Sequence, residues 1–273
     1  MKKKHKKVGL LCVILLVLLL LVAALDVRLN TVTYRIESEK VAAPVRIVQL
    51  SDLHSCAYGE DQSRLLAAVD ALTPDAVVFT GDIVDDRLPT ENAYLVFAAL
   101  AEKYPCFYVT GNHEYWGGVV DGFCEEIAAR GVTVLRGAGT KLTLNGQMVW
   151  LCGVDDPESG QTQAQLSRLA AQIDTDTVSI LLSHRPELTE QYRTLPFDLV
   201  FAGHAHGGQW RIPGLLNGLL APDQGFFPDY AGGLYDLDGR QLVVSRGLAR
   251  ESTRVPRVFN RPEIVAVDIV PVP

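Results

Sequence analysis

The chain predicts an α/β sandwich of mixed sheets, and three features of the sequence predict it. Short apolar runs of strand length alternate with stripes of helical spacing from residue 45 to the C-terminus. Asn145-Gly146 and Asp238-Gly239 add hairpin turns between such runs. Five runs end in polar clusters: Asp52-Leu53-His54, Gly81-Asp82, Gly111-Asn112-His113-Glu114, Ser183-His184 and Gly203-His204-Ala205-His206. These clusters hold five of the six histidines.

The elements follow in order. Lys2, Lys3, Lys4, Lys6 and Lys7 form a basic tail at 1–7 before an apolar run at 8–25, which Asp26 and Arg28 close. As a helix the run is about 27 Å long, against a bilayer core of about 30 Å. It reads as a transmembrane anchor with the lysines cytoplasmic and the remainder extracytoplasmic. Val22-Ala23-Ala24 keeps a cleaved secretory signal as the competing reading, which also exports the bulk of the chain. Residues 26–44 read as a juxtamembrane strand or linker, with apolar and polar residues alternating over 27–36. Residues 45–273 read as one domain.

Within that domain, 45–50 is a strand running into Asp52. Leu65, Leu66, Val69 and Leu72 mark a helix stopped by Pro74. Strand 76–79 runs into Gly81-Asp82, a helix carries Tyr94, Phe97 and Leu100, and strand 106–109 ends at Asn112 and His113. Phe123 and Ile127 mark the next helix. A hairpin follows, with Leu142 and Leu144 before the turn and 148–154 after it. Leu166, Leu169 and Ile173 mark a fourth helical stripe, and strands 178–182 and 199–202 end at His184 and His204. Residues 207–235 are rich in Gly and Pro, carry Trp210, Phe226, Phe227 and Tyr230, and show no helical period. A loop this long in a compact domain is usually functional. Strand 264–270 closes the chain.

Charge narrows the partners. Without the five tail lysines, 20 basic residues face 32 acidic ones, a net of −12. Nucleic-acid binding normally needs a basic stripe, so no nucleic-acid partner is expected. A phosphate-bearing small substrate remains compatible, because bound dications reverse the local potential. Cys56, Cys106, Cys124 and Cys152 have irregular spacings and no CxxC pair, so they read as small buried residues.

The clusters share one position, the C-terminal end of a strand. In open α/β sheets that edge is where ligands bind. Carboxylate, amide and imidazole are the groups that hold two divalent cations side by side. Aspartate can bridge two cations, and ligands two residues apart, as in Asp52/His54 and His204/His206, share a face of an extended segment.

DxH, GD, GNHE, H and GHAH, in this order, resemble the calcineurin-like metallophosphoesterase superfamily over 47–206. Weaker agreement continues through Gly207-Gly208-Gln209 and Ser245-Arg246-Gly247. GHAHGGQ with the exported N-terminus is similar to the membrane-associated bacterial branch. Ala205 stands where Thr or Ser is also common, at a position carrying no ligand. The resemblance implies a four-layer α/β/β/α sandwich and two divalent metal ions of Mn, Fe or Zn type. It implies that Asp52, His54 and His206 hold one metal and Asn112, His184 and His204 the other, with Asp82 bridging. A metal-bridging hydroxide would attack phosphorus in line, and His113 would stabilise or protonate the departing oxygen.

Other polar residues read more plainly. Glu114 either orients a ligand or marks a helix start. Asp85, Asp86, Asp155 and Asp156 read as turn caps, and Arg185 and Arg246 as solvated surface residues. The aromatic loop reads equally as an apolar wall for a lipid-linked substrate or as satellite core packing. The functional expectation is a membrane-anchored phosphoesterase acting on a phosphate ester or pyrophosphate. The alternatives are a hydrolase specialised for a lipid-linked pyrophosphate of the UDP-diacylglucosamine type, and a non-catalytic metal-binding envelope module.

Overall fold

Residues 2–250 and 255–273 are described by a computed structural model. Helix α1 (Lys2–Ala24) leads into strand β1 (Asn30–Ser38) and β2 (Val45–Leu50). Next come α2 (Ser63–Asp70), β3 (Ala76–Thr80), α3 (Glu91–Ala101), β4 (Cys106–Val109), α4 (Asn112–Trp116), α5 (Val120–Ala129) and the short β5 (Thr133–Val134). The second half holds β6 (Ala138–Leu144), β7 (Gln147–Gly153), α6 (Thr162–Ala170), β8 (Val178–Leu182), α7 (Thr189–Tyr192) and β9 (Leu199–Ala202). It ends with β10 (Leu220–Ala221), β11 (Gly225–Phe226), β12 (Gly233–Leu237), β13 (Arg240–Val244) and β14 (Glu263–Pro271).

Two six-stranded sheets form the centre, ordered β1-β14-β2-β3-β4-β5 and β12-β13-β9-β8-β7-β6. Both are mixed. In the first, β2 to β5 run parallel and β14 lies antiparallel to β2; in the second, β7, β8, β9 and β13 run parallel between antiparallel edges. The segment before residue 45 is more than a connector, because β1 pairs with β14 over nine residues. Its alternating half-buried and exposed residues are those of an edge strand with one wet face.

Strand periodicity builds the layers. Val48 and Leu50, Val77 and Phe79, Cys106 and Tyr108 face an outer core under α2, α3 and α5. Their neighbours Ile47, Ala76, Val78, Phe107 and Val109 face the second sheet, meeting Leu151, Ile180, Leu182 and Phe201. Leu181, Val200 and Val244 point the other way, into a third core with Leu166, Leu169 and Tyr192. The order is therefore α/β/β/α, and the central strands read as continuous apolar runs because both their faces are buried. Phe97, fully buried against Phe79, Tyr108 and Phe123, typifies the outer core. Truncating it to Ala would cost about 3–5 kcal/mol.

Some local expectations shift. The fourth helical stripe stops at Ala170, leaving Ile173 in the following turn. The long loop holds a two-residue ladder, β10 with β11, and β12 begins inside it at Gly233. Cys106, Cys124 and Cys152 are buried free thiols.

Candidate active site

The parallel strands end at the top of both sheets, and the polar clusters begin there. β2, β3 and β4 lead to Asp52 and His54, Asp82, and Asn112 and His113; β8 and β9 lead to His184, and to His204 and His206. The clusters thus lie on two rims, one from each sheet, facing each other. The turns at these ends are tight. Asp52, His54, Asp82, His204 and His206 all have positive φ, between 46° and 63°. Non-glycine residues held there carry strain of about 1–3 kcal/mol each, which packing elsewhere must offset. The approach of the two rims also leaves no room for a side chain at Gly203. A Cβ there would lie 1.9 Å from Ser51 Oγ and 2.5 Å from Asp52 Oδ2.

All seven expected ligand residues are buried and gather in one place. Asp52, His54, Asp82 and His206 form one group with ligand atoms within 4.8 Å of one another, and Asp82, His184 and His204 form a second. Asp82 belongs to both. Its Oδ2 lies 3.7 Å from His54 Nε2 on one side and 3.2 Å from His184 Nε2 on the other. Asn112 Oδ1 is 3.2 Å from His184 Nε2, and His204 Nδ1 is 3.1 Å from the same atom. His206 Nε2 completes the first group, 3.7 Å from Asp52 Oδ1.

The donor set suits divalent cations. Two nitrogens, His54 Nε2 and His206 Nδ1, are buried without a hydrogen-bond partner, an arrangement that is costly unless something else engages the ring. His184 has its Nδ1 2.7 Å from Thr80 O, so Nδ1–H donates and Nε2 faces Asp82, Asn112 and His204; burial opposes a charge on the ring, yet Asp82 beside it pushes it up to about 10. Electrostatics agree. Burial, together with His184 and Arg185, pushes His204 down to about 3, and burial holds His206 well below the usual range, so both imidazoles are neutral with lone pairs to give. Burial opposes ionisation of Asp82, yet His184 and His54 beside it hold it well below the usual carboxylate range. Burial and that neighbouring carboxylate raise Asp52.

His113 belongs to neither of these two groups, though its ring lies edge-on to His54 with centroids 4.4 Å apart and, with His54 and Asp85, forms a further cluster. Its backbone N–H donates to Asp82 Oδ1 at 2.9 Å, while its ring lies on the wall of a cleft of about 490 Å³ beside Trp116, Arg185 and His204. Asp86 Oδ1 sits 2.9 Å from His113 Nδ1 and fixes that nitrogen, leaving Nε2 as the other ring atom.

The supporting residues depart most from expectation. Asp85 does cap a turn, accepting from Arg87 N and Leu88 N, but its other oxygen lies 3.3 Å from His54 Nδ1. Asp86 backs His113. Asp156 caps the turn at Glu158 and also holds Arg185 through two oxygens, whereas Asp155 ties Thr110, Arg136 and Gln165 together. Arg185 is not a solvated surface residue: it is 5 % exposed, paired with Asp156 and Asp223, and 3.0 Å from His204 Nε2. Arg246 is likewise mostly buried, bound to Glu263. Glu114 serves both roles considered for it, accepting from the N–H groups of Gly111, Asp82 and Ile83 while opening α4. Burial and the neighbouring Asp82 push it up to about 7. Asp223 escaped sequence reasoning altogether. It reaches from the long loop to within 2.8 Å of His204 Nε2, and no local motif marks it. Of the loop aromatics, Tyr230 packs on the third core, while Trp210, Phe226 and Phe227 are exposed.

Comparison with known proteins agrees with this geometry. The calcineurin-like phosphoesterase profile matches residues 45–208. A metallophosphoesterase of Bacillus subtilis called YkuE, itself uncharacterized, is 31 % identical over 228 residues, 80 % of this chain and 77 % of that protein. The phosphodiesterase YaeI of Escherichia coli is 30 % identical over 241 residues, 84 % of this chain and 83 % of its own length. Among solved structures, a 5′-nucleotidase precursor from Thermus thermophilus superposes with a TM-score of 0.51 at 12 % identity, covering 83 % of this chain and 54 % of that one, a likeness of fold. The chain therefore belongs to the calcineurin-like phosphoesterases and is a metal-dependent phosphoric ester hydrolase.

Proposed function

We propose that the chain is a membrane-anchored, extracytoplasmic two-metal phosphoesterase that hydrolyses phosphate ester or pyrophosphate bonds, with 45–273 as its catalytic domain. The observation that carries the two-metal reading is the position of Asp82 Oδ2 between two separate ligand groups. Asp52, His54 and His206 would hold one ion, Asn112, His184 and His204 the other, and Asp82 both. Mn, Fe and Zn all suit such nitrogen and oxygen donors. Bound there, the ions supply a water acidified to a pKa of about 7 and a positive field for the phosphoryl oxygens.

The protein supplies the rest. His113, steadied by Asp86, sits on the cleft wall where it can give a proton to the departing oxygen. Asp223 accepts from His204 Nε2–H and so aims its Nδ1 inward, and Arg185, paired with Asp223, steadies that carboxylate. For the membrane, support comes from α1, whose residues 5–24 are long and apolar enough to cross a bilayer by length and composition. The basic tail before it favours a cytoplasmic N-terminus.

A lipid-linked pyrophosphate is the second reading for the substrate, favoured by the exposed Trp116 beside His113 and by the exposed aromatic loop following His206. The test is direct. Full-length protein in detergent, loaded with Mn, Fe or Zn, is assayed on aryl phosphate mono- and diesters and on detergent-dispersed lipid diphosphates. Two ions per chain and metal-dependent turnover are expected. Turnover that persists after chelation, or one ion per chain at saturation, contradicts the two-metal reading; faster turnover of the lipid substrates selects the second substrate.

A further inference from the structure

Six large apolar side chains stand exposed on the loop after His206. Trp210, Ile212, Leu215, Leu220, Phe226 and Phe227 are between 44 % and 82 % exposed. Scattered exposed apolar residues need no explanation, but these belong to one connected surface. The 208–219 turn and the β10–β11 hairpin are joined by Leu219 N to Gly208 O and Phe227 N to Leu219 O. Trp210 bridges to Val258, and its Nε1 donates to Pro256 O at 3.0 Å.

That surface continues to the end of α1. Phe259 N donates to Ala24 O at 2.6 Å, and Phe259 lines a groove together with Ile212 and Leu215. The apolar tips and the last turn of the spanning helix are thus held by the same short segment, 256–259. Next to it lies a cleft of about 850 Å³ lined by Leu19, Val22 and Leu25 of the helix end together with Arg28, Arg64, Arg250 and Asp26. Arg28 is paired with Asp26, and Arg250 lies over the Tyr58 ring. In a chain whose residues beyond the tail carry a net −12, the cleft is a local reversal of sign.

We propose that this face docks on the surface of the bilayer that α1 crosses, with an anionic phospholipid bilayer as its occupant. The tips of the 210–227 loop enter the boundary between headgroups and acyl chains, where Trp and Phe partition favourably. Arg28, Arg64 and Arg250 meet lipid phosphates in the cleft at the helix end. The proposal rests on the reading of α1 as a membrane span. Its consequence is that the loop carrying Asp223 is held at headgroup level, so the mouth of the metal site opens beside the lipid surface.

The test uses the full-length protein in nanodiscs containing a phospholipid with a diazirine in its acyl chain, with lipid adducts mapped by mass spectrometry after irradiation. Adducts are expected on 210–227 as well as on α1. Their yield on the loop should fall several-fold in Phe226→Ser/Phe227→Ser, a variant whose retention of bound metal reports an intact fold. Loop labelling should also be stronger in phosphatidylglycerol than in phosphatidylcholine, a preference that Arg28→Ser/Arg64→Ser should abolish. Adducts confined to α1 would overturn the docking face while leaving the anchor in place. Protein–protein cross-links through 210–227 would instead assign the face to a second copy of the chain and overturn the proposal. Failure of the chain to enter the discs would count against the membrane span itself, a separate result.

Discussion

The two sheets contribute to the site in different ways. The first sheet's share, Asp52, His54, Asp82 and Asn112, is fixed largely by the backbone beside it. Asp52 N donates to Gly81 O, His54 N to Asp82 O and His113 N to Asp82 Oδ1, and the buried Glu114 gathers four further N–H groups from the same turns. In the second sheet's share His184 rests on the backbone carbonyl of Thr80, but His204 is held by side chains from elsewhere. His204 depends on Asp223 in a loop nineteen residues away and on Arg185, itself clamped by Asp156. One half of the site is built into its strand ends; the other half is assembled around an arginine and a loop. Metal affinity and fold stability should therefore separate when each half is disturbed.

The largest effect lies where the halves meet. Asp82→Ala should abolish metal-dependent turnover and lose both ions, because each ligand group loses its shared carboxylate. Metal content measured by mass spectrometry decides the matter, and two retained ions would remove Asp82 from its bridging position. Next comes His113→Ala, which leaves both ligand groups intact. It should lower kcat by about 10²–10⁴-fold with metal content unchanged. A parallel loss of metal would make His113 part of the ligand shell instead.

The sharpest contrast between the halves comes from their supports. Asp223→Ala should weaken metal binding by about 10–100-fold, as expected when the residue orienting a ligating histidine is lost, with little change in melting temperature. Glu114→Gln should do the reverse. It disturbs an acceptor of four buried N–H groups and should destabilise the fold by about 1–3 kcal/mol. If Asp223→Ala melts as early as Glu114→Gln, the loop is part of the framework and the contrast fails.

The same division explains what could be read from sequence. The central strands were legible because they are buried on both faces and stand out as apolar runs; β2, β4, β8 and β9 begin and end where the pattern places them. The residues that the structure brings together were legible because each follows such a run directly. Short elements such as α4, α7 and β5 were not, since two to five residues carry too little periodicity. Arg185 and Asp223 were missed for another reason. Their roles come from pairing across 38 residues of chain, and an arginine after a histidine looks like any surface arginine until its partners are in place. Asp85 kept the turn-capping role expected of it, whereas Asp86 binds His113 and Arg87 instead, and these contacts to the imidazoles needed His54 and His113 to fold back over them.

The smallest effect asks whether the contrast reaches below the site. Burial pushes the thiols of Cys106 and Cys124, under the first rim, and of Cys152, under the second, up to about 12 from an ordinary 9. A raised thiol pKa in the fold favours the folded state fully below pH 9, and that contribution is lost as pH rises from 9 towards 12. Stability followed by thermal melts should therefore be flat in this respect up to pH 9 and decline above it. Thiolate is also the reactive form, so alkylation of all three should be slow at pH 8 and accelerate together as the fold weakens. Joint reaction would confine the difference between the halves to the ligands and their supports. Early alkylation of Cys152 alone would mean that the second sheet is loose throughout, and that Asp223 and Arg185 brace a half of the molecule rather than a single imidazole.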